Sequence, residues 1–303
     1  MSAASMSIAE AYAACRVIAR REAKNFYYAF LALPKHKSDA MCAVYAFMRK
    51  ADDLADDESL TLEARRSAMA AWLQAWRAAR AGAATDDAVF IALRDTQLRF
   101  AISDELLEQL VQGTAMDLDP AAAAVQTYAT FDDLYRYCYL VASVVGLVCI
   151  RIFGYSDARA EKMAEETGIA FQLTNILRDV KEDAERGRVY LPLDLLRQHG
   201  VTVQRVKELA AGATLQPNER AMLKELSAKA WQYYAAAEQL LPLISRDSRA
   251  ALEVLVQIYS GLLQRIDARD GDVFSVRASV PAAVKIGILL RGLAKTLRNR
   301  VSA

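Results

Sequence analysis

Glycine and proline are scarce, at 12 and 6 residues in a chain of 303, roughly half their usual combined share. That excludes collagen-like and low-complexity architectures. Histidine is almost missing, with only His36 and His199, and the four cysteines (Cys15, Cys42, Cys138, Cys149) include no C-x-x-C pair. Zinc centres built from His and Cys are therefore not expected. Each cysteine sits in an apolar stretch and reads as a small buried hydrophobe in a reducing compartment. An excess of either charge is also lacking: 38 Lys+Arg against 37 Asp+Glu leave a net charge of +1, which gives no support to a nucleic-acid partner. Finally, no apolar run approaches 18 residues. The uncharged stretch from Tyr137 to Ile150 has 14, too few to span a bilayer. The N-terminus has no charged start followed by an apolar core, so the expectation is a cytoplasmic protein without a signal peptide.

What is present is hydrophobic residue, 54% of the chain, and it repeats with helical periodicity. The pattern predicts helices at about 7–33, 37–57, 61–81, 87–118, 127–153, 157–184, 203–210, 217–243, 247–269 and 281–299. The few turn-formers mark the breaks, as at Pro34, which disfavours a helical Leu33. No strand pattern, repeat or linker divides the chain. The expected architecture is all-α, one domain over residues 1–303. The stretch Leu140–Ile150 reads as a central core helix. Ala142, Ser143 and Gly146 give it a face of small residues, open to close approach by either another helix or a ligand.

Two acidic clusters carry the chemistry. In the first, Asp52 and Asp56 lie four apart, as do Asp53 and Asp57, so each pair shares a helix face at an electrostatic cost. They lie at the helix end where the dipole is already negative. Arg49 relieves part of this, and a divalent cation would relieve the rest. In the second, Asn175, Asp179 and Asp183 form an oxygen-bearing stripe that Gln172 extends upstream. Magnesium binds oxygen ligands, through one or two carboxylates plus substrate phosphates. Two such clusters on separate helices suit a diphosphate bridged to protein by Mg²⁺. Ionisation of the carbon–oxygen bond then leaves a carbocation, which needs a dry cavity with aromatic walls. Phe26, Phe30, Tyr45, Phe47, Tyr137, Phe171 and Tyr259 are the candidate aromatics.

The segments Tyr45–Asp56 and Asn175–Asp183 resemble the two aspartate-rich signatures of the squalene/phytoene synthase family. Ala184–Pro192, Tyr135–Gly146 and Gly113–Leu118 resemble further family segments in the same order, and the likeness extends over about residues 22 to 290. The resemblance implies an isoprenoid-synthase helical bundle around a central cavity. It implies Mg²⁺-dependent, head-to-head joining of two prenyl diphosphates through a cyclopropylcarbinyl diphosphate. It assigns Asp52, Asp56, Asn175, Asp179 and Asp183 to metal, and Tyr137 to the carbocation or to proton removal. It places Asp53, Arg49, Gln172, Arg188 and Tyr190 near the diphosphates, Lys24 and Phe26 in an N-terminal substrate segment, and Tyr259, Arg277 and Lys285 in C-terminal ones. Where relatives often carry Ser-x-Ser, this chain has Ala23-Lys24-Asn25.

Two farnesyl (C15) diphosphates giving presqualene diphosphate, and on to squalene, are the favoured reading. Geranylgeranyl (C20) substrate giving phytoene is the alternative, with dehydrosqualene synthase beside it. No G-x-G-x-x-G turn offers a Rossmann site, yet relatives that use NADPH lack one too, so NADPH use stays open. A terpene cyclase and a non-catalytic assembly subunit are the readings from other classes. Beyond Asp272 the chain holds Arg277, Lys285, Arg291, Lys295, Arg298 and Arg300 and no acid. With Ile286, Leu289, Leu290 and Leu293 this reads as a basic amphipathic helix. Its apolar face either docks on the core or makes peripheral contact with anionic lipid at the inner face of a membrane. Oligomeric state is not legible.

Overall fold

The computed structural model describes residues 6–118 and 127–301; the side chains of Lys24, Asn25, Asp117 and residues 295–301 lie outside what it describes. The helices, in chain order, are α1 (Ile8–Glu22), α2 (Lys24–Leu31), α3 (Lys35–Ala55), α4 (Leu62–Arg80), α5 (Ala88–Phe100) and α6 (Asp104–Ala115). After these come α7 (Phe131–Cys138), a π-helical turn (Tyr139–Ser143), α8 (Val144–Phe153) and α9 (Arg159–Glu185). The last group is α10 (Leu193–Gln198), α11 (Val203–Ala210), α12 (Pro217–Leu240), α13 (Arg249–Asp267) and α14 (Ala282–Val301). Among the described residues no strand forms, and the sole β-type pairing is the isolated bridge Tyr155–Ile244.

Caps set most boundaries. Ser7 and Thr130 form reciprocal capping boxes with Glu10 and Asp133 at the starts of α1 and α7, satisfying orphan N–H groups. Two expected helices break, and one short helix was not expected. The helix expected over 7–33 breaks at Ala23, which caps α1 and opens α2. That expected over 87–118 breaks at Ala101, left-handed at φ 48°, where the Ser103 hydroxyl then caps α6. Neither break carries a Gly or Pro, so periodicity ran straight through both. The short α10 was missed because Pro192 precedes it and Gly200 follows it within eight residues.

α9 is the central helix, packed against α12, α8, the π turn, α11 and α13. Residues 131–153 form one continuous 23-residue helical stretch that is apolar enough and long enough to cross a membrane. This corrects the length argument from sequence, which stopped at Tyr137. The stretch nevertheless runs through the protein interior: Leu134, Cys138, Ser143, Val144, Val148 and Ile152 are buried. All four cysteines are buried and free.

The π turn is pinched from two sides. A Cβ on Gly168 would lie 2.6 Å from Ser143 Cα, and one on Gly113 would lie 2.7 Å from the Leu140 carbonyl oxygen. Only glycine permits backbones this close. The question left open for the small-residue face resolves both ways: Ser143 meets a helix, while Ala142 and Gly146 line a cavity.

Candidate active site

α2, α3, α8, α9 and α13 wall an apolar shaft, and the directions of the last four follow from contacts along it. Lys37, at the start of α3, donates from Nζ to the Phe153 carbonyl (2.7 Å), Asp247 (2.8 Å) and Ser248 Oγ (2.9 Å). The starts of α3 and α13 therefore meet the end of α8 at the closed end. Gly146 abuts Ala164, and Ser143 abuts Gly168, so α8 runs antiparallel to α9. Tyr259, midway along α13, stacks on Phe171 of α9 at 4.5 Å between ring centres. Hence α3, α9 and α13 run one way and α8 the other.

The shaft wall on α3 is Met41, Val44, Tyr45 and Met48, and on α9 it is Ala164, Thr167, Gly168, Phe171, Gln172 and Asn175. α2 adds Phe26 and Phe30, while α13 adds Leu252, Leu255 and Tyr259. Eleven residues separate Ala164 from Asn175, so the α9 wall runs about 16 Å along the axis. Asp52 follows Met48 by one turn, and Asp179 follows Asn175 by one turn. Parallel helices therefore carry both carboxylate clusters to the same open end. The carbonyl termini of α3 and α9 point there too, adding negative potential.

The mouth is electrostatically uneven. Burial pushes the Asp52 carboxyl up to about 6, against a Thr114 hydrogen bond and the Arg49 charge, with Asp56 and Asp53 adding repulsion. Burial likewise raises Asp183 to about 6, helped by Asp179 and opposed by Arg186 and Arg188. Burial alone would raise Asp179, but Arg178 and Arg277 outweigh it and hold that carboxyl below its ordinary range. Arg277 reaches Asp179 at 2.6 Å and Glu182 at 3.3 Å. Arg49 pairs with exposed Asp53 at 2.6 Å. Lys285 is half-buried, its ammonium lowered by burial and by the Arg178 charge. Asp56 lies just past the end of α3, exposed.

Tyr137 does not line the shaft. It stands one turn before Val141, in a cluster of three rings with Tyr190 (5.2 Å) and Tyr128 (5.4 Å). Arg188 reaches the Tyr190 hydroxyl at 3.4 Å, so the loop after α9 folds back to the base of α7. Phe47 also departs from expectation: it packs against Trp72 and Trp76 on the far side of α3. Lys24 lies in α2, but its side chain is outside the described residues. Sequence reasoning gave no role to Thr114 or Arg178. Thr114 lay within the family-like segment Gly113–Leu118, but only the packing of α3 on α6 brings it to Asp52. Arg178 stood next to Asp179 and was legible as its neutralising partner.

The squalene/phytoene synthase family model matches residues 19–283. The chain belongs to that family. It is 34% identical over 297 residues to a 15-cis-phytoene synthase of Synechococcus elongatus, covering 94% of this chain and 93% of the relative. It is 34% identical over 292 residues to a phytoene synthase of Mycobacterium tuberculosis, covering 96% and 93%. Among solved structures, a dehydrosqualene synthase in complex with ligand superposes with a TM-score of 0.82 at 29% identity, over 95% of this chain and 97% of that one. A squalene synthase from Alicyclobacillus acidocaldarius gives 0.78 at 26%, over 87% and 95%. Squalene/phytoene synthases are head-to-head prenyl diphosphate synthases, and this chain is a prenyltransferase with their isoprenoid-synthase helical fold. The family depends in general on divalent metal. Among the described residues no three His, Cys, Asp or Glu side chains converge into a ready-made metal cage.

Proposed function

We propose that this protein is a phytoene synthase: it joins two geranylgeranyl (C20) diphosphates head to head. The observation that carries the C20 reading is the 34% likeness, over almost the full length of both chains, to proteins named phytoene synthase. The dehydrosqualene and squalene synthase structures are matched at lower identity, 29% and 26%. The C15 reading favoured from sequence thus becomes the second one, supported by the closeness of the dehydrosqualene synthase fold.

The donor set fits Mg²⁺. It is all oxygen, as magnesium prefers, and the buried Asn175 Oδ1 has no hydrogen-bond partner. Burial, with neighbouring carboxylates, raises the proton affinity of Asp52 and Asp183 beyond what the nearby arginines offset. Asp52, Asp56, Asn175, Asp179 and Asp183 would hold the metal. Bound there, Mg²⁺ would neutralise the charge of a departing diphosphate.

The chain's own residues do the rest. Arg178, Arg277, Lys285 and Arg49 surround the mouth with donors for diphosphate oxygens. The shaft takes the prenyl tail and excludes water from the allylic cation formed when diphosphate leaves. Phe26, Phe171 and Tyr259 present ring faces to that cation. The Tyr137–Tyr190–Tyr128 cluster, closed by the Arg188 loop, sits beside the shaft where the proton is lost after carbon–carbon bond formation. Incubation with geranylgeranyl or farnesyl diphosphate plus Mg²⁺, with and without NADPH, followed by mass spectrometry, tests the reading. A C40 hydrocarbon from the C20 substrate is expected, abolished by EDTA. A C30 product alone would overturn the C20 assignment, and no product from either would overturn the enzymatic claim.

A further inference from the structure

The helical stretch from Phe131 to Phe153 carries one residue more than an α-helix would. The Val144 N–H donates to the Tyr139 carbonyl, five residues back, so Tyr139–Ser143 form a π turn between α7 and α8. Such single turns are rare and recur at functional sites. Here the extra residue changes which side chain faces the reaction space. Val141, Ala142, Val145, Gly146, Cys149 and Ile150 form the shaft wall on this stretch. At about 100° per residue, an unbroken α-helix would put Tyr137 about 130° from the middle of that face. One added residue gives each preceding side chain the angular place of its successor, and Tyr137 comes within about 30° of the middle. Because α8 runs antiparallel to α9, Tyr137 lies beyond Val141 towards the open end, where Tyr190 and Tyr128 meet it.

Glu165 of α9 grips the turn on both sides. Its backbone carbonyl accepts from Ser143 Oγ at 2.7 Å, and its carboxylate accepts from the Tyr135 hydroxyl. Tyr135 and Ser143 flank Tyr137 in the chain. Lys162, one turn earlier on α9, donates to the same carboxylate at 2.8 Å. The backbones of α6 and α9 close on the turn at Gly113 and Gly168. Glu165 precedes Asn175 by ten residues, about 15 Å along α9, so it stands well away from the carboxylate stripes. Neither Glu165 nor Ser143 lines the shaft.

We propose that Glu165 and Ser143 are positioning residues: they keep the π turn wound, and the turn aims the Tyr137 ring into the cluster over the shaft mouth. The proposal rests on the role given above to the Tyr137–Tyr190–Tyr128 cluster. Relaxation of the turn to an α-helix would swing the Tyr137 ring about 100° around the helix axis, away from its two ring partners.

The test uses the full chain with 3-fluorotyrosine at position 137, followed by fluorine NMR and by kinetics. In the native protein the two neighbouring rings shift the fluorine resonance from its position in the unfolded chain. Glu165→Ala and Ser143→Ala are expected to move it back towards that position. Glu165→Gln still accepts from Tyr135 and should leave it in place. With prenyl diphosphate and Mg²⁺, kcat of each alanine variant should fall about tenfold to a hundredfold while KM stays within about twofold, because a misaimed group slows chemistry without weakening the shaft's hold on substrate. Glu165→Gln should restore kcat. Circular dichroism shows that each variant keeps its helices, and the two alanine variants are independent of one another. A resonance unmoved in both, an equal loss in Glu165→Gln, or a rise in KM matching the fall in kcat would overturn the proposal. If the native enzyme turns over neither prenyl diphosphate, the functional reading fails, and the resonance still reports whether Glu165 and Ser143 aim the ring.

Discussion

Replacing Gly168 by alanine isolates the contact that holds the π turn. In mid-helix the change should stabilise by about 1 kcal/mol through helix propensity alone. Tertiary packing reverses the sign. The new methyl would lie 2.6 Å from Ser143 Cα, 2.8 Å from Ser143 N and 2.9 Å from the Ala142 carbonyl carbon. Carbon atoms rest at about 3.5–4.0 Å, so the shortfall is about 1 Å. All three atoms are backbone, and no rotamer change can absorb it. The helices must separate, and overpacking of this kind costs about 1–3 kcal/mol. After subtracting the propensity gain, the net change is a loss of up to about 2 kcal/mol. Urea unfolding followed by circular dichroism should show a lower midpoint at unchanged slope. Gly261→Ala is the internal control. Gly261 is also mid-helix, in α13, but nothing lies within 4 Å of its Cβ position. That variant should gain about 1 kcal/mol. If Gly168→Ala gains as much stability as Gly261→Ala, the close approach of α9 to the π turn is refuted.

Three further outcomes follow from the same geometry. Lys37→Met strands the buried Phe153 carbonyl and breaks the tie to Asp247 and Ser248 at the closed end; a loss of about 1–3 kcal/mol is expected, and an unchanged melting temperature would count against that anchor. The carboxyls of Asp52 and Asp183 sit near 6 in the folded protein, above their ordinary 3.8. The folded state then holds more protons than the unfolded state between those values, so these groups favour folding at low pH and lose that contribution as pH rises through about 6. The stability of Asp52→Asn relative to the parent should therefore rise across that window, and a flat difference would refute it. Burial pushes Cys15, Cys42 and Cys149 up to about 12 and Cys138 higher still. Thiol titration with Ellman's reagent should detect none in the native protein and all four in guanidinium; rapid native labelling would contradict the burial.

Sequence was informative where one residue type has one physical use. The spacing of Asp52 and Asp56, and of Asn175, Asp179 and Asp183, put each set on one helix face, and the order of motifs pointed to the family. Pro34 marked a real helix end. Periodicity failed at Ala23 and Ala101, because an alanine fits a helix, a cap or a strained turn without changing the hydrophobic pattern. It also could not distinguish the two sides of an apolar helix. Phe47 and Tyr45 sit two apart on α3, yet one packs on Trp72 and Trp76 and the other lines the shaft.

By itself the sequence determined the all-α class, the two oxygen-bearing stripes and the family, because local spacing and residue chemistry suffice for each. Only the tertiary structure decided that both stripes crown the same end of one shaft, since that depends on α3 and α9 running parallel and on α8 running against them. It alone decided that Arg178 and Arg277 neutralise Asp179 while Asp52 and Asp183 stay under-compensated, because charge balance is set by neighbours distant in the chain. It alone turned Leu290 outward and Leu289 inward, since the inside of a helix is defined by what packs against it.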